Sequence, residues 1–406
     1  MIGISQTFHA RFRGEYALQL LQTASINNGG GKHEPGVFAQ VGVTAAGANG
    51  GAIDSIMRII MDAKGNAGVL INSPGGTASV TTGNGNDVVD ITANEVNKVS
   101  TGRGDDVINI RAGGQGQEQT SNPSVAHINS GRGHDSISIT SGGNVAWVDG
   151  GGGDDQISIE TTADVSGPLG TIENLVKGIG STGGGKGDDT IVLESTTSVR
   201  STDGDDGNDT INISSAAFAF STAGGKGDDA ITVSSRNVFS VDGGSGDDLI
   251  EVTAVNASGI DGGDGNDVIS VNATAAAYNI SGGKGDDYVV INSTSTVQST
   301  YHFAEGDGHD IIETNNPLEI MRFSSDGTDR GDMADAVIER QGNTLQISFA
   351  DSADTITINL TGRMAEAESL QFVYKSGTQS LLIADDQFFV DNPPGQTVFV
   401  WPEATK

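Results

Sequence analysis

Several features that commonly stabilise or define a protein are missing from this chain. It has no cysteine among its 406 residues, so no disulfide can stabilise it in an oxidising compartment and another device must take that role. No apolar run approaches the length of a membrane span, which predicts no membrane-spanning segment. The first thirty residues contain Arg11, Arg13 and Glu15 and do not form a secretory signal.

Basic residues are scarce. The chain has 21 Lys and Arg against 53 Asp and Glu, which gives a net charge of −32. Such a chain repels polyanions, which excludes nucleic acid and anionic membrane surfaces as partners. Strong acidity with few aromatic residues is typical of disordered chains, and also of proteins that fold around cations. The fixed spacing of the aspartates, described below, favours a fold around cations.

Motifs of common catalytic sites are also absent. The sequence has no His-Glu-x-x-His zinc motif, no Gly-x-Ser-x-Gly nucleophile motif and no phosphate-binding P-loop. Adjacent carboxylates such as Asp188 and Asp189 are frequent, but their repetition at a fixed phase indicates ion binding rather than acid–base catalysis. We therefore predict that the chain is not an enzyme.

Glycine is abundant, with 60 residues, and much of it lies in one repeated phrase. The phrase Gly-Gly-x-Gly-x-Asp-x-aliphatic-x recurs eleven times between residues 82 and 313, and its positions are numbered 1 to 9 below. Successive position-6 aspartates are 19, 29, 20, 34, 20, 20, 19, 19, 20 and 23 residues apart. These aspartates are the predicted metal-binding residues: Asp87, Asp106, Asp135, Asp155, Asp189, Asp209, Asp229, Asp248, Asp267, Asp287 and Asp310.

The residue types of the phrase suit calcium. Glycine adopts left-handed and open backbone conformations at little cost, so each loop can direct several carbonyl oxygens to one centre while the aspartate adds a carboxylate. Ca²⁺ takes six to eight oxygen ligands, which is more than one loop supplies. Two loops on successive turns, about 4.8 Å apart, supply them together, so eleven loops hold at most ten ions. Not every copy is regular: Thr82, Thr101 and Ser130 replace the first glycine in three copies, Asp205 replaces the second glycine before Asp209, and Glu305 replaces the first before Asp310.

The phrase resembles that of the repeats-in-toxin (RTX) family, also called the haemolysin-type calcium-binding family. The resemblance implies a parallel β-roll with Ca²⁺ between neighbouring loops and the position-6 aspartate as side-chain ligand. It also implies export from a Gram-negative bacterium by a type I exporter that reads an uncleaved C-terminal signal, and an extracellular or cell-surface location. Toxin-type rolls repeat the phrase every nine residues, whereas here it comes once per turn, so we expect calcium on one edge only.

The residues after each aspartate predict the core. Positions 8 and 10 are aliphatic in almost every copy, as in Ile250 and Val252, and a period of two places both on one face of a strand. A second strand contributes aliphatic residues that lie two before a phrase, namely Val99, Ile128, Val148, Val241, Ile260 and Ile280. Three aromatic residues lie four before their phrases and share the phase of these inward-facing residues, so we expect them in the core: Phe220, Phe239 and Tyr278. Trp147 does not share this phase and is expected outside the core. The fold class is an all-β, right-handed parallel β-roll.

The flanks divide the chain into three predicted domains: an N-terminal cap at residues 1–81, the calcium-binding roll at 82–313 and a C-terminal antiparallel β region at 314–406 that could carry the export signal. Residues 15–21 suggest a short amphipathic helix. Residues 50–59 resemble a degraded repeat, and a helix over 52–63 is the alternative. Insertions at 112–124 and 163–180 are expected to be loops on the non-calcium edge, either tolerated insertions or a binding surface.

These features favour an extracellular, calcium-dependent structural or adhesive protein, such as a surface-layer, matrix or adhesion component. An alternative is a polysaccharide-acting enzyme or a carbohydrate-binding module, with a cell-surface or matrix polysaccharide as partner. A third interpretation is the export and folding module of a larger RTX protein. The exposed strand positions show no array of charged residues of the kind that the enzyme alternative predicts.

Overall fold

The structure is a computed structural model. It describes side chains for residues 66–73, 78–113, 124–162, 178–321, 336–349 and 352–365, and the backbone alone for 3–13, 17–27, 36–46, 52–61, 74–77, 322–323, 370–374, 380–383, 387–391 and 397–402. The chain forms two compact units, Met1–Phe218 and Ala219–Lys406. Strands dominate both units, and the repeats form a parallel β-solenoid of about 11 turns in all. The predicted solenoid is therefore confirmed.

The first unit consists of strands in the described residues. They are β1 (Gly3–Arg13), β2 (Ala17–Asn27), β3 (Gly36–Ala46), β4 (Ala52–Met61), β5 (Ala67–Asn84), β6 (Val88–Arg103), β7 (Val107–Ala112), β8 (Val125–Arg132), β9 (Ser136–Ser141), β10 (Val145–Gly152), β11 (Gln156–Thr161), β12 (Gly178–Lys186), β13 (Thr190–Ser195) and β14 (Ser198–Asp206), followed by β15 (Thr210–Lys226), which begins in this unit and ends in the next.

Each turn of the solenoid pairs in parallel with the next, in a register set by the phrase. After the loops, Ile108 pairs with Ile137, and Ile137 with Ile157. Before the loops, Val99 pairs with Ile128. Because equivalent residues of successive copies lie side by side, a substitution in one copy acts directly on its two neighbours.

The predicted core ladders are buried. Position-8 and position-10 residues such as Ile108, Ile110 and Ile250 are at most 1% exposed, and the residues two before the phrase, such as Val99 and Ile260, are fully buried. A further inward residue lies five before the phrase, where Val238 is also fully buried. The core is therefore a narrow interior lined by small and medium aliphatic side chains.

The prediction that Phe239 and Tyr278 fill the core is wrong. Their exposed fractions are 37% and 38%, and Phe220 is half-buried. The residue that follows each exposed ring has a left-handed backbone, with φ 60° at Ser240 and 53° at Asn279. A left-handed residue interrupts the alternation of a strand, so the third and fourth residues before the phrase both face outward. Trp147 is 53% exposed, as expected.

The second unit continues the repeat and then changes architecture. Its elements are β16 (Ala230–Ser245), β17 (Leu249–Asp264), β18 (Val268–Lys284), β19 (Tyr288–Ser293), β20 (Ser299–Ala304), β21 (His309–Thr314), β22 (Leu318–Phe323), β23 (Ala336–Gln341), β24 (Thr344–Phe349), β25 (Thr355–Leu360), the short helix α1 (Gly362–Ala365), β26 (Leu370–Tyr374), β27 (Ser380–Ile383), β28 (Gln387–Asp391) and β29 (Thr397–Pro402).

Parallel pairing runs from β16 to β22, and β21 also pairs in parallel with β25. The remaining strands pair antiparallel: β23 with β24, β24 with β25, and β26 with β29. Strands β23 and β24 form a hairpin in which Gln341 pairs with Thr344 across a left-handed Gly342. The predicted C-terminal antiparallel region is therefore present.

The N-terminal flank is also β structure. Strand β2 covers most of the segment in which the sequence suggested a helix, because it pairs antiparallel with β1 along its whole length. Strand β4 pairs antiparallel with β3 and β5, so residues 52–61 are neither a helix nor a turn of the parallel solenoid. Both helix predictions are wrong: strand pairing outweighs the local amphipathic pattern.

The solenoid pairing reaches further back than the first copy of the phrase. Strand β5 pairs in parallel with β6 from Gly68 onward, although no aspartate precedes it at the equivalent position, which Ala67 occupies. The insertions lie largely outside the described residues, at 114–123 and 163–177. Within the described residues, no helix has the length and apolar character needed to cross a membrane.

Candidate metal-binding column

The position-6 aspartates form a ladder along one edge of each unit. They lie beneath the glycine loops at the start of the strand that supplies positions 8 and 10, and they are at most 3% exposed. The backbone N–H of each donates to Oδ1 of the next, for example Asp106 to Asp135 at 2.7 Å and Asp248 to Asp267 at 2.7 Å. The same bond joins Asp87, Asp106, Asp135, Asp155, Asp189 and Asp209 in the first unit, and Asp229, Asp248, Asp267, Asp287 and Asp310 in the second.

The second carboxylate oxygen has a different environment. In the part of the chain that the structure describes, Oδ2 is buried without a hydrogen-bond partner in Asp106, Asp135, Asp155, Asp189, Asp248, Asp267 and Asp287. A buried polar atom without a partner is costly, and a buried charge more so. Seven such atoms at one phase of a repeat require a common explanation.

A carbonyl oxygen of the next loop lies close to this carboxylate oxygen. A Cβ added to Gly150, at position 1, would lie 2.6 Å from Oδ2 of Asp155 and 2.6 Å from the carbonyl oxygen of Gly184, at position 1 of the following loop. The two oxygens therefore border the same small space, and glycine leaves that space open. The donors gathered here are all oxygens, which suits a hard cation such as Ca²⁺.

The glycines at positions 2 and 4 allow the loops to stack. Gly244 has φ of +111° and Gly246 has φ of +129°, a region that side chains disfavour. A Cβ on Gly244 would also overlap the carbonyl oxygen of Gly225, and one on Gly246 that of Gly227. Two further rows of carbonyl oxygens thus point along the column, and any larger residue would push the loops apart.

Burial and the proximity of other carboxylates disfavour ionised aspartates in the column when no cation is present. Burial, followed by the charges of Asp229 and Asp267, raises the pKa of Asp248 to about 7. Burial likewise raises the pKa of Asp106 and Asp155 to about 7 and that of Asp267 to about 6. Without a cation, burial therefore favours the protonated form of each of these carboxyl groups.

A second ladder lies at position 5, which the phrase leaves unspecified. Oδ1 of Asp228 accepts from the backbone N–H of Asp247 at 2.9 Å, and Oδ1 of Asp247 accepts from Asn266 at 2.7 Å. His134 is exposed, and its Nδ1 accepts from the N–H of Asp154 at 2.9 Å. A signal was available: position 5 is Asn, Asp or His in all eleven copies, and each of these side chains can accept a hydrogen bond.

The irregular copies of Asp209 and Asp310 keep the aspartate in place. Asp209 is buried and accepts from the N–H of Asp189 at 2.7 Å. Asp205, which replaces the second glycine, takes φ of 73°, a conformation that aspartate tolerates better than most residues. Asp310 is buried, but its Oδ2 accepts a hydrogen bond from Tyr301, which sets it apart from the seven copies named above.

A groove lies on the outer face of the second unit, beside the loops. It has a volume of about 680 Å³, and its lining includes Ser240, Asp242, Asp261, Asn279, Lys284 and His302. Lys284 pairs with Asp264 at 2.7 Å. Burial, followed by the charge of Asp242, raises the pKa of Asp261 to about 6. The exposed rings of Phe239 and Tyr278 directly precede two of the lining residues.

No group of three or more His, Cys, Asp or Glu side chains in the described residues is placed to hold a metal ion. The chain matches no protein-family model, and it has no significant match among curated protein sequences.

Proposed function

We propose that this chain is an extracellular, calcium-dependent structural or adhesive protein of the RTX type, whose roll folds when Ca²⁺ binds. One observation carries the proposal: buried aspartates recur once per turn, the Oδ2 atoms of the seven named above lack a hydrogen-bond partner, and those of Asp155, Asp189, Asp248 and Asp267 border a carbonyl oxygen of the next loop. A cation in that space would satisfy both oxygens.

Calcium suits the column better than other common ions. The donors are carboxylate and carbonyl oxygens, without the nitrogen or sulfur that zinc and copper favour. Magnesium demands near-ideal octahedral geometry and gives up water reluctantly, whereas calcium accepts irregular shells of oxygens. Ten calcium ions would add about +20 to the net charge of −32 and leave about −12, which relieves much of the repulsion within the column.

Extracellular placement follows from the affinity expected of such sites. Extracellular calcium modules bind at about 10⁻⁴–10⁻³ M, so the column would stay empty in a cytosol and fill outside the cell. An unfilled roll has large backbone entropy to lose in its glycine loops and would remain unfolded for passage through a type I exporter. The absence of cysteine fits a protein that calcium, rather than disulfides, stabilises.

Circular dichroism with and without calcium tests the proposal. In chelator the spectrum is expected to be largely that of an unordered chain, and added calcium should restore the β signal, whereas added magnesium at the same ionic strength should not. A β spectrum that chelator leaves unchanged would contradict the proposal. Sedimentation in the same buffers separates folding from aggregation.

A second candidate function is the binding of an uncharged glycan in the groove of the second unit. The groove combines carboxylate, amide and hydroxyl groups with neighbouring exposed aromatic rings, which together suit the hydroxyls and apolar faces of sugars. Its carboxylates would repel polyanionic polysaccharides.

Calorimetry with neutral and anionic oligosaccharides tests glycan binding in the groove. Phe239→Ala is the groove variant, and Trp147→Ala, which removes an exposed aromatic residue of the first unit, is the control. Binding of neither class, or equal loss in both variants, would exclude the groove as the site.

A further inference from the structure

The last copy of the phrase differs from the others at its aspartate. Oη of Tyr301 donates a hydrogen bond of 2.6 Å to Oδ2 of Asp310, and the backbone N–H of Gly282 donates to the same Oη at 3.2 Å. Tyr301 is fully buried. The oxygen that lacks a partner in Asp248, Asp267 and Asp287 therefore has one in Asp310.

The tyrosine reaches this position from the core. Tyr301 lies in β20, in register with Ile280 of β18, which is one of the aliphatic residues two before a phrase. An aliphatic side chain at that point ends within the core, whereas the longer tyrosine extends its hydroxyl beneath the loops. The buried phenol is satisfied at both its donor and acceptor ends, as a buried hydroxyl requires.

At position 2 the backbone of the last copy also leaves the stack, although at position 4 Gly308 still lies against the carbonyl of Gly285. A Cβ on Gly306, at position 2, would have no atom within 4 Å, whereas one on Gly283, at position 2 of the preceding copy, would overlap the carbonyl of Gly263. The ladder bond from Asp287 N–H to Asp310 Oδ1 lengthens to 3.3 Å, against 2.8 Å for the bond from Asp267 to Asp287. The row of position-2 carbonyl oxygens therefore does not continue into this copy.

No further copy of the phrase follows. Strand β21, which begins with this loop, pairs next with β25, and Gly308 accepts a hydrogen bond from Thr355 rather than from another glycine loop. A cation at Asp310 would have oxygens from a loop on one side only. Calcium needs six to eight oxygens, so such a site would be incomplete.

We propose that Tyr301 closes the cation column: its hydroxyl takes the place of a cation at Asp310, so that the series of calcium-binding carboxylates ends at Asp287. This inference rests on the proposed calcium function. A neutral donor satisfies the last buried carboxylate where the ligand shell of an ion could not be completed. Asp310 is thus a structural member of the repeat that has lost its ligand role.

Two measurements on the full chain test the inference. Anomalous diffraction from crystals grown with terbium in place of calcium should show ions along the loops up to Asp287 and none in contact with Asp310. Native mass spectrometry in calcium should count the same number of ions in Asp310→Asn as in the wild type, whereas the matched variant Asp267→Asn should lose at least one. An ion bound to Asp310, or one lost in Asp310→Asn, would overturn the inference.

The role of the hydroxyl has its own test. Tyr301→Phe removes the donor and keeps the ring, so Oδ2 of Asp310 would be left buried with neither a hydroxyl nor an ion. We expect the same number of bound ions as in the wild type and a lower midpoint of thermal unfolding in calcium; an unchanged midpoint would refute the role of the hydroxyl. The failure of the two proposals is distinguishable. A chain that binds no ion anywhere contradicts the calcium function and this inference with it, whereas ions along the column together with one at Asp310 contradict only the inference.

Discussion

Replacing Asp248 by asparagine separates a calcium ligand from a purely structural aspartate. The amide keeps an oxygen to accept the N–H of Asp229, which Oδ1 of Asp248 accepts at 2.7 Å. It replaces the partnerless Oδ2 by an NH₂ group, which cannot bind a cation. The substitution therefore leaves the ladder bond in place and removes the ion site.

The expected loss depends on calcium. A site with Kd of about 10⁻⁴–10⁻³ M contributes RT ln(1 + [Ca]/Kd), which is about 1.4–2.7 kcal/mol at about 10 mM calcium. Above Kd, the gap between wild type and Asp248→Asn should widen by about 1.4 kcal/mol for each tenfold rise in calcium. At low calcium the gap should close, because the wild type then carries a buried carboxylate with no ion.

Urea unfolding at a series of calcium concentrations measures this gap. Asp247→Asn is the matched control: it makes the same charge change one residue away, at an exposed side chain whose Oδ1 accepts from Asn266. Its free energy of unfolding should run parallel to that of the wild type. If the free energy of unfolding of Asp248→Asn also runs parallel to that of the wild type across the calcium series, with a constant offset, the aspartate is structural and the ligand assignment is wrong.

Other predictions concern protons, glycine, histidine and catalysis. Because burial raises the folded-state pKa of Asp106 and Asp248 to about 7 from 3.8, their contribution to stability without metal is present below about pH 4 and is lost as pH rises to about 7. Urea unfolding in chelator should therefore show more residual structure at pH 5 than at pH 8, and equal transitions would contradict the burial argument. Gly244→Ala should cost about 1–3 kcal/mol or more, measured by thermal unfolding in calcium, whereas Gly259→Ala, where a Cβ would lie 3.5 Å from its nearest neighbour, should cost less. His134→Ala should cost about 0.5–1.5 kcal/mol and leave the number of bound calcium ions unchanged by native mass spectrometry; a lost ion would make His134 part of a site. Purified protein should not turn over alginate, pectin or casein, and measured turnover would contradict the prediction that the chain is not an enzyme.

The repeat made the solenoid predictable from sequence. A phrase recurring every 19 or 20 residues places its aspartates and its position-8 and position-10 aliphatics in register on successive turns. A two-residue period then assigns these aliphatics to the core. The structure confirms both, as Ile250 and Val252 illustrate. Local pattern was sufficient here because each turn contacts mainly its neighbours, which carry the same pattern.

Local pattern failed wherever a backbone change or a distant partner intervened. Phe239 and Tyr278 share the phase of the core residues, but the left-handed residues that follow them turn both rings outward. Residues 15–21 have a helical pattern, yet residues 17–27 form a strand because β1 pairs along it. Neither effect is visible in the residues themselves, since one depends on the chirality of a single φ angle and the other on pairing with another segment.

The sequence alone determined which residues stack on successive turns and which carboxylate side chains repeat, because both depend only on a residue's position within the repeat. Tertiary structure decided what each atom of that chemistry does. In copies such as that of Asp248, Oδ1 belongs to a ladder bond and Oδ2 borders a carbonyl of the next loop, whereas at Asp310 Oδ2 meets Tyr301 instead. The aspartates look alike in sequence, and they differ because a carboxylate takes its role from the groups that folding places within hydrogen-bonding distance of each oxygen.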